Sequence, residues 1–184
     1  MFQKLLRKTS RALSNQDIPY MIIGGQAVLL YGEPRLTKDI DITLGIGIEG
    51  LDKIKKIVKT LGFRSLVDDI NDFVNKTMVF PVSDEKSGIR IDFIFSFSLY
   101  EKQAIERSRG IKLGNVLVQF AALEDVLIHK IIAKRARDIE DIRSILLKNP
   151  DYDGYYIKRW LEEFDKSLDE DFYNLFKKIA KNCS

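Results

Sequence analysis

Apolar residues recur at helical spacing from the start of the chain. Phe2, Leu5, Leu6, Thr9, Ala12 and Leu13 fall on one side of an expected amphipathic helix over 2–15. The run PYMII at 19–23 has the pattern of a buried strand and stops at Gly24-Gly25. A short helix is expected over 26–32, broken by Glu33-Pro34-Arg35. Strict alternation in DIDITL, 39–44, predicts a second strand. Over 49–61, Leu51, Ile54, Ile57, Val58 and Leu61 share one helix face, while Lys53, Lys55, Lys56 and Lys59 lie mostly on the opposite, solvated one. Strands are expected at 73–82 and 88–95 around the turn from Asp84 to Gly88. A helix near 98–108 follows, then short strands at 111–113 and 116–120 about Gly114-Asn115. Beyond Phe120 only helical spacing remains, at 122–134, 138–148, 153–166 and 169–181, punctuated by Pro150 and Gly154. The expected fold class is α+β, a mixed sheet flanked by helices. It is organised as an α+β core over 1–120 and a C-terminal helical portion over 121–184.

The bulk properties leave this picture intact. The chain has 184 residues, enough for one domain with a helical appendage, and 45% are hydrophobic, enough for a core. Thirty basic residues against 27 acidic give a net charge of +3, so no global field argues for nucleic acid or an anionic membrane. The longest apolar run, Met21 to Tyr31, is too short to span a bilayer, and no membrane partner is expected. The basic, acid-free start MFQKLLRKTSRAL could suggest a targeting peptide, but its helical spacing fits a docked amphipathic helix better. The one cysteine, Cys183, allows no intrachain disulfide, which fits a reducing compartment; a cytoplasmic location is the expectation.

Candidate chemistry concentrates in two stretches of the first 120 residues and a third further on. A strand that ends at Gly24-Gly25 and turns at once into a helix presents free backbone N–H groups, with no side chain to keep a phosphate away. Asp39 and Asp41, two apart on a strand, point to one face, while Ile40, Ile42 and Leu44 point to the other. Two such carboxylates repel each other unless a cation lies between them, and hard oxygen ligands favour Mg²⁺, or Mn²⁺ in its place. Alone, the pair reads as the solvated acidic face of an ordinary amphipathic strand. Asp92 adds a third carboxylate in the apolar strand IRIDFIF, where Asp is disfavoured without a partner. It could join Asp39 and Asp41, or pair with Arg90.

The succession of Gly24-Gly25, Asp39-Ile40-Asp41 and the strand-borne Asp92 resembles the signature of the DNA polymerase β-like nucleotidyltransferase superfamily. The wording GGQAVLLYGEPRLTKDIDI looks like its AbiEii-type members, which include toxins of type IV toxin–antitoxin systems and uncharacterised relatives. The resemblance implies a nucleotidyltransferase fold and transfer of a nucleoside monophosphate from an NTP to an acceptor. Asp39, Asp41 and Asp92 would hold the metal. Gly24, Gly25 and Gln26 would cradle the phosphates, and Arg35 and Lys38, which flank the turn before Asp39, could bind the triphosphate or be ordinary loop charges. Many superfamily members carry Gly-Ser where this chain has Gly24-Gly25, so one hydroxyl contact to phosphate is absent here.

Further along, Lys130 followed by Lys134, Arg135, Arg137-Asp138 and Asp141 is similar to the Lys…Arg-Asp-x-x-Asp pattern of the AbiEii-like group. There the lysine is expected to contact nucleotide phosphates, and an aspartate assists the site. Lys130 is accordingly a catalytic candidate, and Asp138 and Asp141 are nucleotide-site candidates. Arg137 and Asp141, four apart, could instead pair on a helix surface. His129 and the tyrosines Tyr152, Tyr155 and Tyr156 fit packing roles, although the tyrosines could also stack on a base. The acceptor is open among an RNA or tRNA end, a protein and a small molecule such as an aminoglycoside, whose adenylyltransferases share the core signature. A cognate antitoxin is a candidate partner. The competing reading is a non-catalytic protein that keeps the fold and acts through a protein partner.

Overall fold

A computed structural model of the chain describes residues 1–183. The residues divide into two compact units, one of Met1–Gln26 with Thr37–Ala121, the other of Ala27–Leu36 with the chain from Ala122 onward. The first unit holds one seven-stranded mixed sheet: β1 (Tyr20–Ile23), β2 (Asp39–Leu44), β3 (Phe63–Ser65), β4 (Val79–Asp84), β5 (Arg90–Phe95), β6 (Arg109–Leu113) and β7 (Val116–Phe120). Their order is β3-β4-β5-β2-β1-β7-β6. β2 runs parallel to β5 and antiparallel to β1. Register puts Ile40 beside Ile91 and Ile42 beside Phe93. Val82 and Phe80 of β4 continue those two rows, and all six side chains are buried on one face. α1 (Phe2–Ser14) buries Leu5, Leu6 and Leu13 as a docked helix. Its Lys8 donates to Asp84 Oδ1 at 2.9 Å and to the Leu61 carbonyl at 3.3 Å. Burial pushes the Asp84 carboxyl up, but Lys8 and Ser87 outweigh it and hold that group below its usual value.

The structure corrects one element. The segment expected as a strand from residue 73 is helical to Thr77, as α4 (Ile70–Thr77), and only then becomes β4. Asp69 caps α4 by accepting from the Asp72 N–H at 3.0 Å, and Met78, at φ 59°, ends it in the left-handed region. The apolar run Met78–Val82 carries the alternation, and extending it backwards ignored the Asp69 cap. The three-residue β3 lay below what periodicity resolves.

α2 (Gly24–Tyr31) leaves β1 directly and from Ala27 belongs to the second unit, while α3 (Leu51–Thr60) and α5 (Leu99–Glu106) join α1 and α4 in the first. The second unit is built from α6 (Leu123–Ala133), α7 (Ala136–Lys148), α8 (Gly154–Leu168) and α9 (Phe172–Lys181). α6 is buried on nearly every side and packs against the other three, with Leu127, Ile128 and Ile131 meeting Ile142, Ile145, Ile157 and Leu161 in the core. The segment after α2 is fastened to α7 within this unit. Asn149 Nδ2 donates to the Tyr31 carbonyl at 2.8 Å, the Glu33 N–H donates to Ser144 Oγ at 3.1 Å, and Arg137 Nη2 donates to the Leu36 carbonyl at 3.0 Å. Among the described residues no helix is long and apolar enough to cross a membrane.

Candidate functional site

On the sheet face opposite the apolar rows, register assembles a square of charges. Asp41 of β2 lies directly beside Asp92 of β5, and one row away Asp39 lies beside Arg90. Partners in a parallel ladder, and residues two apart on each strand, share a face, so three carboxylates and one guanidinium occupy four adjacent positions, about 5 Å apart across the strands and about 7 Å along them. Ile23 of β1 and Pro81 of β4 flank the Asp41–Asp92 row, and the three aspartates are partly buried. Arg90 Nε donates to Asp92 Oδ1 at 2.8 Å. That bond, and then the charges of Asp92, Asp39 and Asp41, raise the Arg90 pKa above its usual value against the opposing effect of burial. Arg90 therefore feels all three carboxylates. The alternative of an Arg90–Asp92 pair and the gathering of the three aspartates on one face are both present.

The residues Gly24 and Asp41 meet at closest range. Gly24 has φ +63°, and a Cβ built on it would fall 1.9 Å from Asp41 Oδ2. The Asp41 carboxylate thus occupies the volume any side chain at 24 would need, at the start of α2, where backbone N–H groups are free of intrahelical partners. Gly24→Ala is expected to push this carboxylate away and to lose metal-dependent nucleotide binding although no charge is removed. Gly62, at φ +65° with nothing within 4 Å of its would-be Cβ, is the control. Both substitutions carry left-handed strain of roughly 1–2 kcal/mol, visible as similar falls in melting temperature, but only Gly24→Ala should affect a nucleotide titration. Equal effects of the two on that titration would dismiss the close approach as a functional contact.

The remaining candidates are distributed as follows. Gln26 is buried and its Nε2 donates to Thr37 Oγ1, a tie between the start of α2 and the approach to β2 that the sequence did not indicate. Lys38 is exposed. In the second unit Lys130, Asp138 and Asp141 are each at most 9% exposed and form one network. Lys130 Nζ lies 2.5 Å from Asp138 Oδ1 and 2.9 Å from Asp141 Oδ2. Arg35 grips the same Asp141 with two donors, Nε to Oδ1 at 2.7 Å and Nη2 to Oδ2 at 2.8 Å. Asp141 thus pairs with Arg35 and Lys130 rather than with Arg137. Burial, and secondarily the Lys130 charge, pushes the neighbouring His129 down to about 4, so it is neutral at pH 7.

Comparison with known proteins bears on this arrangement. Residues 2–180 match the family described as nucleotidyltransferase of unknown function (DUF6036). The chain belongs to that family. No curated protein sequence matches it. Among solved structures it is similar to ANT(2'')-Ia in complex with adenylyl-2''-tobramycin, at 18% identity and a TM-score of 0.59 over 90% of this chain and 98% of that one. It is also similar to an antigenic nucleotidyltransferase-like protein from Paracoccidioides brasiliensis, at 17% identity and 0.55 over 78% and 74%. A third is the lincosamide antibiotic adenylyltransferase LnuA bound to lincomycin, at 15% and 0.50 over 72% and 89%. At such identities the likeness is one of fold, and it places the mixed sheet of this family member among nucleotidyltransferase folds.

The donor set suits a hard divalent cation in type and in facing, with three carboxylates on one face beside a glycine at a helix start. Among the described residues no three acidic, His or Cys side chains are drawn close enough to hold a metal ion as they stand. Arg90 stands among these carboxylates as a counter-charge, bonded to Asp92 and within the field of Asp39 and Asp41. Arg90 is expected from the sequence only as an alternative partner of Asp92, not as a member of the site. Its position two residues before Asp92 on the same strand was the available signal.

Proposed function

We propose that the chain transfers a nucleoside monophosphate from an NTP to an acceptor, using the β2–β5 charge square as its metal site. The observation that carries this reading is the register that sets Asp41 beside Asp92, with Asp39 on the same face and Gly24 against Asp41. Asp39, Asp41 and Asp92 would hold Mg²⁺ or Mn²⁺, which when bound neutralises the triphosphate and polarises its phosphoryl oxygen. Arg90, now paired with Asp92, lies on the same face and would be a further donor to the phosphates once Asp92 is engaged with a metal. Asp92 then accepts the proton of the attacking acceptor hydroxyl. The N–H groups at Gly24 and Gly25 receive phosphate oxygens, with Gln26 holding Thr37 and the approach to β2 in place. Lys130 would neutralise charge on the leaving pyrophosphate. Asp138 accepts a hydrogen bond from Lys130 and Asp141 pairs with its charge, and a remaining donor would serve a phosphate oxygen. Arg35 would act through Asp141, and Lys38 as a mobile charge at the entrance to β2. In this reading residues 1–120 do the chemistry.

The finer assignment, an AbiEii-type toxin of the cytoplasm with a cognate antitoxin, rests on the GGQAVLLYGEPRLTKDIDI wording and the Lys130…Asp141 spacing. One assay tests the core of the proposal. The protein is incubated with each α-³²P NTP, with Mg²⁺ or EDTA, and with total RNA, a protein extract or an aminoglycoside such as tobramycin. Metal-dependent transfer of label to one of these is the expected result and names the acceptor class. If no NTP labels anything and no NTP with Mg²⁺ raises the melting temperature, the fold is acting without catalysis, through a protein partner.

A further inference from the structure

In the second unit α8 and α9 leave a strip of lysines and one aromatic ring, Tyr155, uncovered beside half-buried tyrosines. A cleft of about 580 Å³ opens between the two helices, its floor formed by Tyr152 and Phe176, which meet edge to face at 5.9 Å. On its rim Tyr155 is 90% exposed, a large apolar area that packs on nothing in its own unit. Opposite stands Tyr173, with Lys177 Nζ 4.8 Å and Lys158 Nζ 5.8 Å from its ring centre. A second hollow of about 360 Å³ continues from Lys177 along α9 past Lys178 and Lys181.

The charges of this strip do not cancel. Among the described residues none of Lys177, Lys178 and Lys181 has a carboxylate within 4 Å, and Lys158 has Glu162 only at 3.8 Å. The two aspartates of the hollows are occupied at helix starts: Asp153 accepts from the Tyr156 N–H at 3.0 Å, and Asp171 accepts from Asn174 Nδ2 at 2.6 Å. Attraction to the helix dipole explains Lys178 and Lys181, which lie in the last turn of α9. It does not explain the lysines around Tyr173, or Tyr155. Tyr173, Lys177 and Lys181 fall four apart on one stripe, each about 6 Å from the next along the axis, on the scale of successive phosphates in an extended strand. An exposed ring, Tyr155, and a half-buried one, Tyr173, set among cations along a groove are the elements by which proteins hold single strands without reading their sequence.

We propose that the α8–α9 strip binds a single-stranded polynucleotide, one base stacking on Tyr155 beside the cleft and the phosphates following Lys177 and Lys181. The inference is independent of the catalytic reading, because binding requires neither metal nor NTP. The test is fluorescence anisotropy of the whole chain with labelled oligonucleotides of about 12 residues, as oligo-U RNA, oligo-dT DNA and a duplex of equal length. Binding of a single strand over the duplex is expected, and the RNA and DNA arms show which sugar is preferred. Tyr155→Ala should weaken it about tenfold and Tyr155→Phe little, since stacking needs the ring and not the hydroxyl. Lys177→Ala and Lys181→Ala should each flatten the dependence of log K on log salt by about 0.7. Asp41→Asn should bind as the parent does, so a failed transferase and a failed strip are told apart. The proposal is overturned by no binding at about 50 mM salt, by a duplex bound as tightly as a single strand, or by a Tyr155→Ala variant that binds unchanged. The last outcome would mark the strip as a plain cationic surface for an acidic protein.

Discussion

Asp41→Asn is expected to abolish metal-dependent NTP binding and to cut label transfer about a thousandfold or more, without unfolding the protein. Asp41 occupies the centre of the candidate site on three counts: it neighbours Asp92 across the ladder, shares a face with Asp39, and lies against Gly24 at the start of α2. A metal held there would supply several kcal/mol of charge stabilisation in the transition state, and each factor of ten in rate corresponds to about 1.4 kcal/mol. Losing a central ligand should therefore remove most of the catalysis rather than a fraction. Asn has the shape of Asp, so the contact with Gly24 survives. Neutralising one of three neighbouring carboxylates relieves repulsion in the metal-free protein, and the melting temperature should hold or rise. Circular dichroism melts with and without Mg²⁺ and ATP check both halves. A large drop in melting temperature, with transfer intact, would make Asp41 a structural ion-pair partner of Arg90 and remove the metal site from the reading.

Much of the α+β fold is written in local pattern. The alternation in DIDITL placed β2 at its observed bounds and put Asp39 and Asp41 on one face, because a strand has no other way to bury Ile40, Ile42 and Leu44 together. The sequence could not say that β5 would lie parallel beside β2, or at which register. A slip of one residue would have turned Asp92 towards Ile40 and Ile42, and only the packing of Ile91 and Phe93 on the buried face prevents it. Long-range polar partners were likewise invisible. Arg35 and Asp141 are 106 residues apart and meet through two hydrogen bonds, whereas spacing alone offered Arg137 to Asp141. Where local pattern misled, between residues 73 and 77, an apolar run common to helix and strand overrode the capping aspartate that marked the true element.

Lys130→Ala should destabilise the chain by about 3 kcal/mol, a loss larger than any surface lysine would produce. Lys130 is 9% exposed and its ammonium answers two carboxylates that are each 4% exposed. Removing it leaves Arg35 to compensate Asp141, but Asp138 keeps only the Arg135 N–H, at 3.3 Å. A buried carboxylate stripped of its cation costs about 3–5 kcal/mol, and the surviving N–H places the estimate at the lower end. For a chain of this length that amounts to roughly 6–12 °C in melting temperature. Lys134, one turn on, pairs with Glu170 at 2.6 Å on the surface and stands 4.7 Å above the Phe172 ring. Lys134→Ala should cost about 1 kcal/mol or less. A double substitution, Lys130→Met with Asp138→Leu, removes charge and counter-charge together and should recover most of the stability, since an apolar pair of similar volume replaces a buried ion pair at little cost. It should not recover nucleotide affinity. That separation decides between the two roles of this lysine. If the double variant is stable and binds NTP with Mg²⁺ as the parent does, Lys130 is a structural cation of α6 and the nucleotide site rests on the β2–β5 face alone. If it is stable and binds weakly, with Lys130→Arg retaining part of the affinity, a remaining donor of Lys130 reaches phosphate.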